Sequence, residues 1–154
     1  ITLAGIVARA EIMDTIDVLH FSTFGGNPLS AAAGIATLDQ VLADDLQGNA
    51  KAMGDRFHGA LQPIVDRTPW ITELRGRGLM WAVELCHDGG IEPDRERTTQ
   101  LLEACKTHGL LVGKGGLYGN VIRLAPMLNI TADETDELIA RFSNAIDDVG
   151  SLTT

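Results

Sequence analysis

The spacing of apolar positions changes several times along the chain, and each change marks an element. Ile1 to Ala8 is a nearly continuous apolar run ending at Arg9, which predicts a short buried strand. Ala10 to Ile16 has room for one short helical turn, and Asp17 to Phe24 reads as a connection. Asn27 then has the chemistry of a helix N-cap, and Pro28 suits the first helical position, where its missing N–H costs nothing. Leu29 to Leu42 is rich in Ala and other small residues, as expected of a helix that packs closely. The composition shifts at Ala43-Asp44-Asp45. Beyond it Leu46, Ala50, Met53, Phe57, Leu61 and Ile64 recur at helical spacing, predicting an amphipathic helix that closes near Pro63.

The second half alternates strand and helix signals. Gly78 to Leu85 has the period of a strand, and His87 to Pro93 is a polar loop. Asp94 can cap a helix running through Lys106, with Gly109 as its stop. Leu110–Val112 and Asn120–Leu124 read as short strands. Thr131-Ala132-Asp133-Glu134 has the form of a capping box, and the helix behind it carries Leu138, Phe142, Ala145 and Val149 on one face. Residues 44–149 thus predict helix, strand, helix, strand, strand, helix, an α+β unit with helices over a small sheet. Neither an internal repeat nor a low-complexity tract interrupts it.

Composition narrows the function classes. The chain has 154 residues, 45 % of them hydrophobic, which is enough for a real core. Its net charge of -9 argues against sequence-independent nucleic-acid binding, which needs Lys and Arg to neutralise phosphates. No apolar run approaches the ~18 residues that span a bilayer, so no membrane partner is expected. Cys86 and Cys105 lack CxxC spacing and read as reduced, buried thiols of a cytoplasmic protein. His20, His58, His87 and His108 have no metal-ligand spacing, so no metal is expected.

Two places carry candidate chemistry. Ser22 and Thr23 precede the Gly25-Gly26 turn and the helix start at Asn27-Pro28. Hydroxyls, backbone N–H groups and a helix N-terminus together can bind phosphate, although turn chemistry with a capping Asn accounts for the same residues. Arg123 is a single charge in the apolar strand Val121-Ile122-Arg123-Leu124. It lies either on an outer face or buried with a partner, and its fork suits a carboxylate, of a ligand or of a salt-bridge partner. Arg75-Gly76-Arg77-Gly78 reads as a structural turn before a strand. Gly113 to Gly119 lacks the spacing of a phosphate loop and reads as a flexible connection between strands.

Taken together these stretches resemble the class III pyridoxal-phosphate aminotransferases. The resemblance rests on Ser22-Thr23-Phe24-Gly25-Gly26-Asn27-Pro28 with its Ala-rich helix and on Arg75-Gly76-Arg77-Gly78-Leu79-Met80 running into Trp81-Ala82-Val83-Glu84-Leu85. It rests also on Gly109 to Gly113 with Asn120-Val121-Ile122-Arg123-Leu124-Ala125-Pro126 and Asn129-Ile130-Thr131. Within the family the chain is most similar to the alanine–glyoxylate branch. The resemblance implies the C-terminal portion of a type I aminotransferase fold, α/β with an α+β C-terminal domain. Residues 1–43 would end the large cofactor domain and 44–154 form the small domain. It implies pyridoxal 5'-phosphate as cofactor, an amino acid (or omega-amino acid) and a 2-oxo acid as substrates, and a homodimer with shared active sites. Thr23, supported by Ser22, would hold the cofactor phosphate of the neighbouring subunit, and Arg123 the substrate carboxylate. The Schiff-base lysine of the family precedes the stretch matching Thr2-Leu3-Ala4-Gly5, and Lys51, Lys106 and Lys114 sit in other contexts. The expectation is therefore a C-terminal part without a catalytic lysine, inactive by itself. A non-catalytic interaction module and a phospho-lyase with the same cofactor are the alternatives.

Overall fold

The computed structural model describes residues 1–151. The chain divides into two compact units, Ile1–Asp45 and a second beginning at Leu46. The first unit holds a single helical turn, α1 (Ala10–Met13), and the helix α2 (Pro28–Ala43). Asn27 caps α2 as its chemistry predicts, its side chain accepting from the Ser30 N–H at 2.9 Å, with Pro28 at the first helical position. Ile1–Ala8 is not a strand. A strand exists only through pairing of its backbone groups, and no partner strand stands beside this segment among the described residues. Its apolar side chains, Ile1, Ile6 and Val7 among them, are exposed, and Leu3 touches α2 at Gly34, where a β-carbon would lie 2.4 Å from Leu3 Cδ2.

The second unit contains α3 (Leu46–Arg67), β1 (Ile71–Arg77), β2 (Met80–Leu85), α4 (Arg95–Thr107), β3 (Gly113–Gly115), β4 (Val121–Leu124) and α5 (Ala132–Ser151). The strands form one antiparallel sheet in the order β1-β2-β4-β3. Helices α3, α4 and α5 pack together over one face. That inner face contributes Val83, Leu85, Ile122 and Leu124 to a core completed by Phe57, Leu61, Leu101, Cys105, Phe142, Ala145 and Val149. Of the stripes expected, Phe57, Leu61 and Ile64 of α3 and Phe142, Ala145 and Val149 of α5 are buried in the core, whereas Leu46, Ala50 and Met53 at the start of α3 and Leu138 of α5 are only partly covered.

Three local expectations give way to packing. Helix α3 runs through Pro63 to Arg67. The lost N–H bond is tolerated because Leu61, Ile64 and Val65 on either side are buried in the core. Arg75-Gly76-Arg77 is not a turn but the end of β1, held by a full register against β2 from Leu74↔Val83 to Arg77↔Met80. The third strand begins at Gly113 rather than Leu110. The Leu110 N–H instead bonds the Cys105 carbonyl at 2.8 Å, closing α4 through Gly109 at φ 72°.

The other helix ends follow the sequence directly. Asp94 Oδ1 accepts from the Arg97 N–H at 2.8 Å, and Thr131 and Glu134 form the reciprocal capping box of α5. The hairpin between β1 and β2 turns at Gly78 (φ 56°) and presses onto α3 at Gly54, where a β-carbon would lie 2.1 Å from the Gly78 carbonyl oxygen.

Candidate functional site

The face of the sheet turned away from α3, α4 and α5 is where the charged side chains of the strands gather. Antiparallel register puts Arg75, Ala82, Arg123 and Gly113 in one row across β1, β2, β4 and β3. Residues directly opposite in register share a face, so all four stand on the outer one. Glu73 and Glu84 pair in the adjacent row on the same face. A concavity of about 370 Å³ opens here, lined among others by Arg75, Ala82, Gly115, Val121, Arg123 and Ala125.

The two arginines are in opposite electrostatic states. Arg75 bonds both Glu73 and Glu84, and this double carboxylate contact holds its pKa above the usual guanidinium value. Glu84 is fixed in turn: its other oxygen faces Asn120 Nδ2 at 3.4 Å, and the buried Asn120 also donates to the Leu85 carbonyl at 3.0 Å. Arg123 makes no ion pair or hydrogen bond through its side chain among the described residues. It is exposed, so of the two placements open from the sequence it takes the outer one. Its stem lies across the glycine strand: a β-carbon at Gly115 would stand 3.0 Å from Arg123 Cδ. The glycines of β3, which the sequence presents only as a loop, are what give this side chain room.

The other predicted site lies in the first unit. Thr23–Gly26 is a turn, closed by the Gly25 N–H to the Ser22 carbonyl at 3.2 Å, with Gly26 at φ 66°. Asn27 Nδ2 ties the turn to α2 by donating to the Phe24 carbonyl at 2.9 Å and to Ser30 Oγ at 3.1 Å. The hydroxyls of Ser22 and Thr23 are exposed and have no hydrogen-bond partner among the described residues. This turn belongs to one unit and Arg123 to the other.

The remaining reactive side chains are occupied locally or buried. Lys51 pairs with Asp55 at 2.6 Å, Lys106 with Glu103 at 3.3 Å, and Lys114 donates to Thr99 Oγ1 at 2.5 Å. Both cysteines are free and buried, and burial pushes the Cys105 thiol up to about 12. Among the described residues no cluster of His, Cys, Asp and Glu is placed to hold a metal, and no helix is long and apolar enough to cross a membrane.

Solved structures with this arrangement are pyridoxal-phosphate enzymes of fold type I. The ornithine aminotransferase of Toxoplasma gondii is similar at 32 % identity and a TM-score of 0.81, covering 94 % of this chain and 33 % of its own. An amine transaminase from an uncultivated Pseudomonas species, solved in its PLP-bound form, is similar at 33 % identity and a TM-score of 0.78, covering 87 % and 30 %. The family model for aminotransferase class-III matches residues 1–146. The chain belongs to the class-III aminotransferases, a family whose cofactor is pyridoxal 5'-phosphate. Among curated relatives, alanine–glyoxylate aminotransferase 2 homolog 2 of Arabidopsis thaliana is 36 % identical over 89 % of this chain and 27 % of that protein. The 4-aminobutyrate aminotransferase of Mycobacterium leprae is 39 % identical over 90 % and 30 %. The chain thus spans about a third or less of the length of the proteins named here.

Proposed function

We propose that this chain serves a pyridoxal-phosphate transaminase that moves an amino group between an amino acid, or an omega-amino acid, and a 2-oxo acid, with Arg123 holding the acid's carboxylate. The observation that carries this is the contrast on the outer face. A guanidinium without a partner stands in a concavity, beside a second one that is fully paired. An Arg side chain offers two parallel N–H donors to one carboxylate, and so orients as well as binds it. The Ser22–Thr23 turn fits the phosphate end of the cofactor. Its two hydroxyls are free at the start of a sixteen-residue helix, whose first N–H groups favour an anion. Pyridoxal phosphate, when bound, supplies the electron sink for breaking the bond at the amino carbon.

Following the family, we assign the turn to the neighbouring subunit's cofactor in a homodimer. We place the protein in the cytosol, a reducing compartment that leaves Cys86 and Cys105 as the free thiols they are. We also hold that none of Lys51, Lys106 and Lys114 is the lysine that binds the cofactor, since each is bonded within its own surface. Mixing the chain with pyridoxal phosphate, reducing with borohydride and weighing it intact tests this. A single specific adduct on one of those lysines contradicts it.

Arg123→Ala in the transaminating holoenzyme tests the main assignment. KM for the 2-oxo acid should rise by about 50-fold, the cost of a charge-assisted bidentate bond, and an unchanged KM removes Arg123 from the site. A second reading has a specific motive: a phospholyase from Arthrobacter, solved with phosphoethanolamine, is similar at 30 % identity and a TM-score of 0.81. Release of phosphate from an amino-alcohol phosphate without a 2-oxo acid would favour it.

A further inference from the structure

A second concavity, of about 650 Å³, opens where the β1–β2 hairpin meets α3. Sites for small molecules have volumes of roughly 300–1,000 Å³. Its walls carry Lys51, Asp55 and His58 from α3, and Gly76, Arg77 and Trp81 from the hairpin. All six belong to the same compact unit. Lys51, Asp55 and His58 follow one another at helical spacing, so they share a face of α3. Gly54 lies on that face too, and its missing side chain admits the Gly78 carbonyl of the hairpin.

Arg77 makes no ion pair and no side-chain hydrogen bond among the described residues. Lys51 is held by Asp55 at 2.6 Å. The charged walls therefore sum to one positive charge, in a chain whose net charge is -9. Such a spot draws small anions. The remaining walls are aromatic. The Trp81 ring lies on Gly76, where a β-carbon would stand 2.5 Å from its Cδ2 and Cε3. The exposed His58 imidazole rests against that ring, centroids 5.3 Å apart and planes inclined by 30°. A flat ligand ring can extend this stack while its charged end meets Arg77. Lys51, Asp55 and His58 lie outside every stretch that carries the family resemblance, so the shared chemistry of the family does not account for their meeting.

We propose that this concavity binds a small aromatic anion, its charge held by Arg77 and its ring laid against His58 and Trp81. Lys51 is a weaker contact, restrained by Asp55. Neither Arg123 nor the cofactor takes part.

Phenyl phosphate is the probe, titrated into the isotopically labelled chain while NMR follows the amides of Lys51, Gly76, Gly78 and Trp81. Saturable shifts are expected there. Inorganic phosphate and benzyl alcohol, the two halves of the probe, should each bind about tenfold more weakly or worse. Arg77→Gln should weaken phenyl phosphate by about tenfold, the worth of one charge-assisted contact. Asp55→Asn should tighten it by about threefold, because Lys51 is released from a surface ion pair, a gain that damage to the fold cannot produce. Arg123→Ala should leave the affinity unchanged. Absence of saturable shifts overturns the inference, and so does an affinity unchanged in Arg77→Gln. Where that variant does not fold, an affinity not raised in Asp55→Asn overturns it instead. Binding lost in Arg123→Ala would put the anion in the other concavity. Either half of the probe binding as tightly as the whole would remove the ring contact or the charge contact, and the inference with it.

Discussion

The two faces of the four-stranded sheet are built from the same strands and obey different physics. On the inner face Val83, Leu85 and Ile122 are wholly excluded from water, and each side chain is held by every neighbour around it. On the outer face Arg75 and Arg123 stand in the same row, yet one is enclosed by carboxylates and the other is not. Burial makes the first face insensitive to which apolar residue stands where, provided volume is kept, whereas the second depends on individual charges. Stability is therefore concentrated on one side of the sheet and recognition on the other, a single residue apart along each strand.

The sharpest way to break this separation is to exchange the kinds of damage. Ile122→Ala, at a side chain with no exposure, should cost about 2–5 kcal/mol in denaturant unfolding, because a cavity remains where the core cannot collapse. Its outer neighbour behaves oppositely: Arg123→Ala should change unfolding free energy by no more than about 0.5 kcal/mol while removing carboxylate binding. A large stability loss there would show that the outer face also holds the fold together. Gly115→Ala refines the comparison. Its new methyl would stand 3.0 Å from Arg123 Cδ, so the guanidinium must move, and carboxylate affinity should fall by about tenfold with the melting temperature nearly unchanged.

Titration separates the inside from the surface on a smaller scale. The Cys105 thiol, raised by burial to about 12, keeps its proton in the folded chain where an unfolded thiol, near about 8.5, loses it. Its contribution is complete below the unfolded value and declines as pH rises through that window toward the folded one. Alkylation of Cys105 by iodoacetamide at pH 9 should consequently be slow in the native protein and fast in urea; equal rates would mean that the thiol is open to solvent. The smallest effect belongs to Glu134, whose carboxylate is held below its ordinary range by the Thr131 N–H and hydroxyl. A lowered pKa stabilises above the unfolded value, about 4.3, and the benefit fades as pH falls below it. Glu134→Gln should leave the acid limb of the melting curve slightly shallower than wild type.

Legibility in the sequence followed how local each interaction is. Caps were readable because Asn27, Asp94 and Thr131 bond groups three residues away. The strand read over Asn120–Leu124 is observed at Val121–Leu124, and of the two placements its one charge left open Arg123 takes the exposed one. Strand β1 was not readable, because Thr72, Glu73, Arg75, Gly76 and Arg77 supply no apolar run, and the strand owes its form to pairing with β2. For the same reason the partners of Arg75 were hidden: Glu84 is nine residues away and meets it only once the register is set. The apolar run Ile1–Ala8 shows the converse, strand-like in composition but unpaired. The free hydroxyls of Ser22 and Thr23 were visible as residue types, but their lack of internal partners is a fact of geometry.

The close seating of the β1–β2 turn on α3 also gives the molecule an optical reporter. Trp81 donates its indole N–H to the Gly78 carbonyl at 2.6 Å, and its ring stands 5.7 Å from that of Phe57 and 5.3 Å from that of His58. Lifting the turn from the helix would expose that indole to water and shift its emission to the red. The chain has one other tryptophan, Trp70, which lies beneath the Arg97 guanidinium at 5.5 Å. Each fluorophore therefore watches a different seam of the same unit. A Trp70→Phe protein would light up only the hairpin and α3, and a Trp81→Phe protein only the corner where Arg97 covers Trp70.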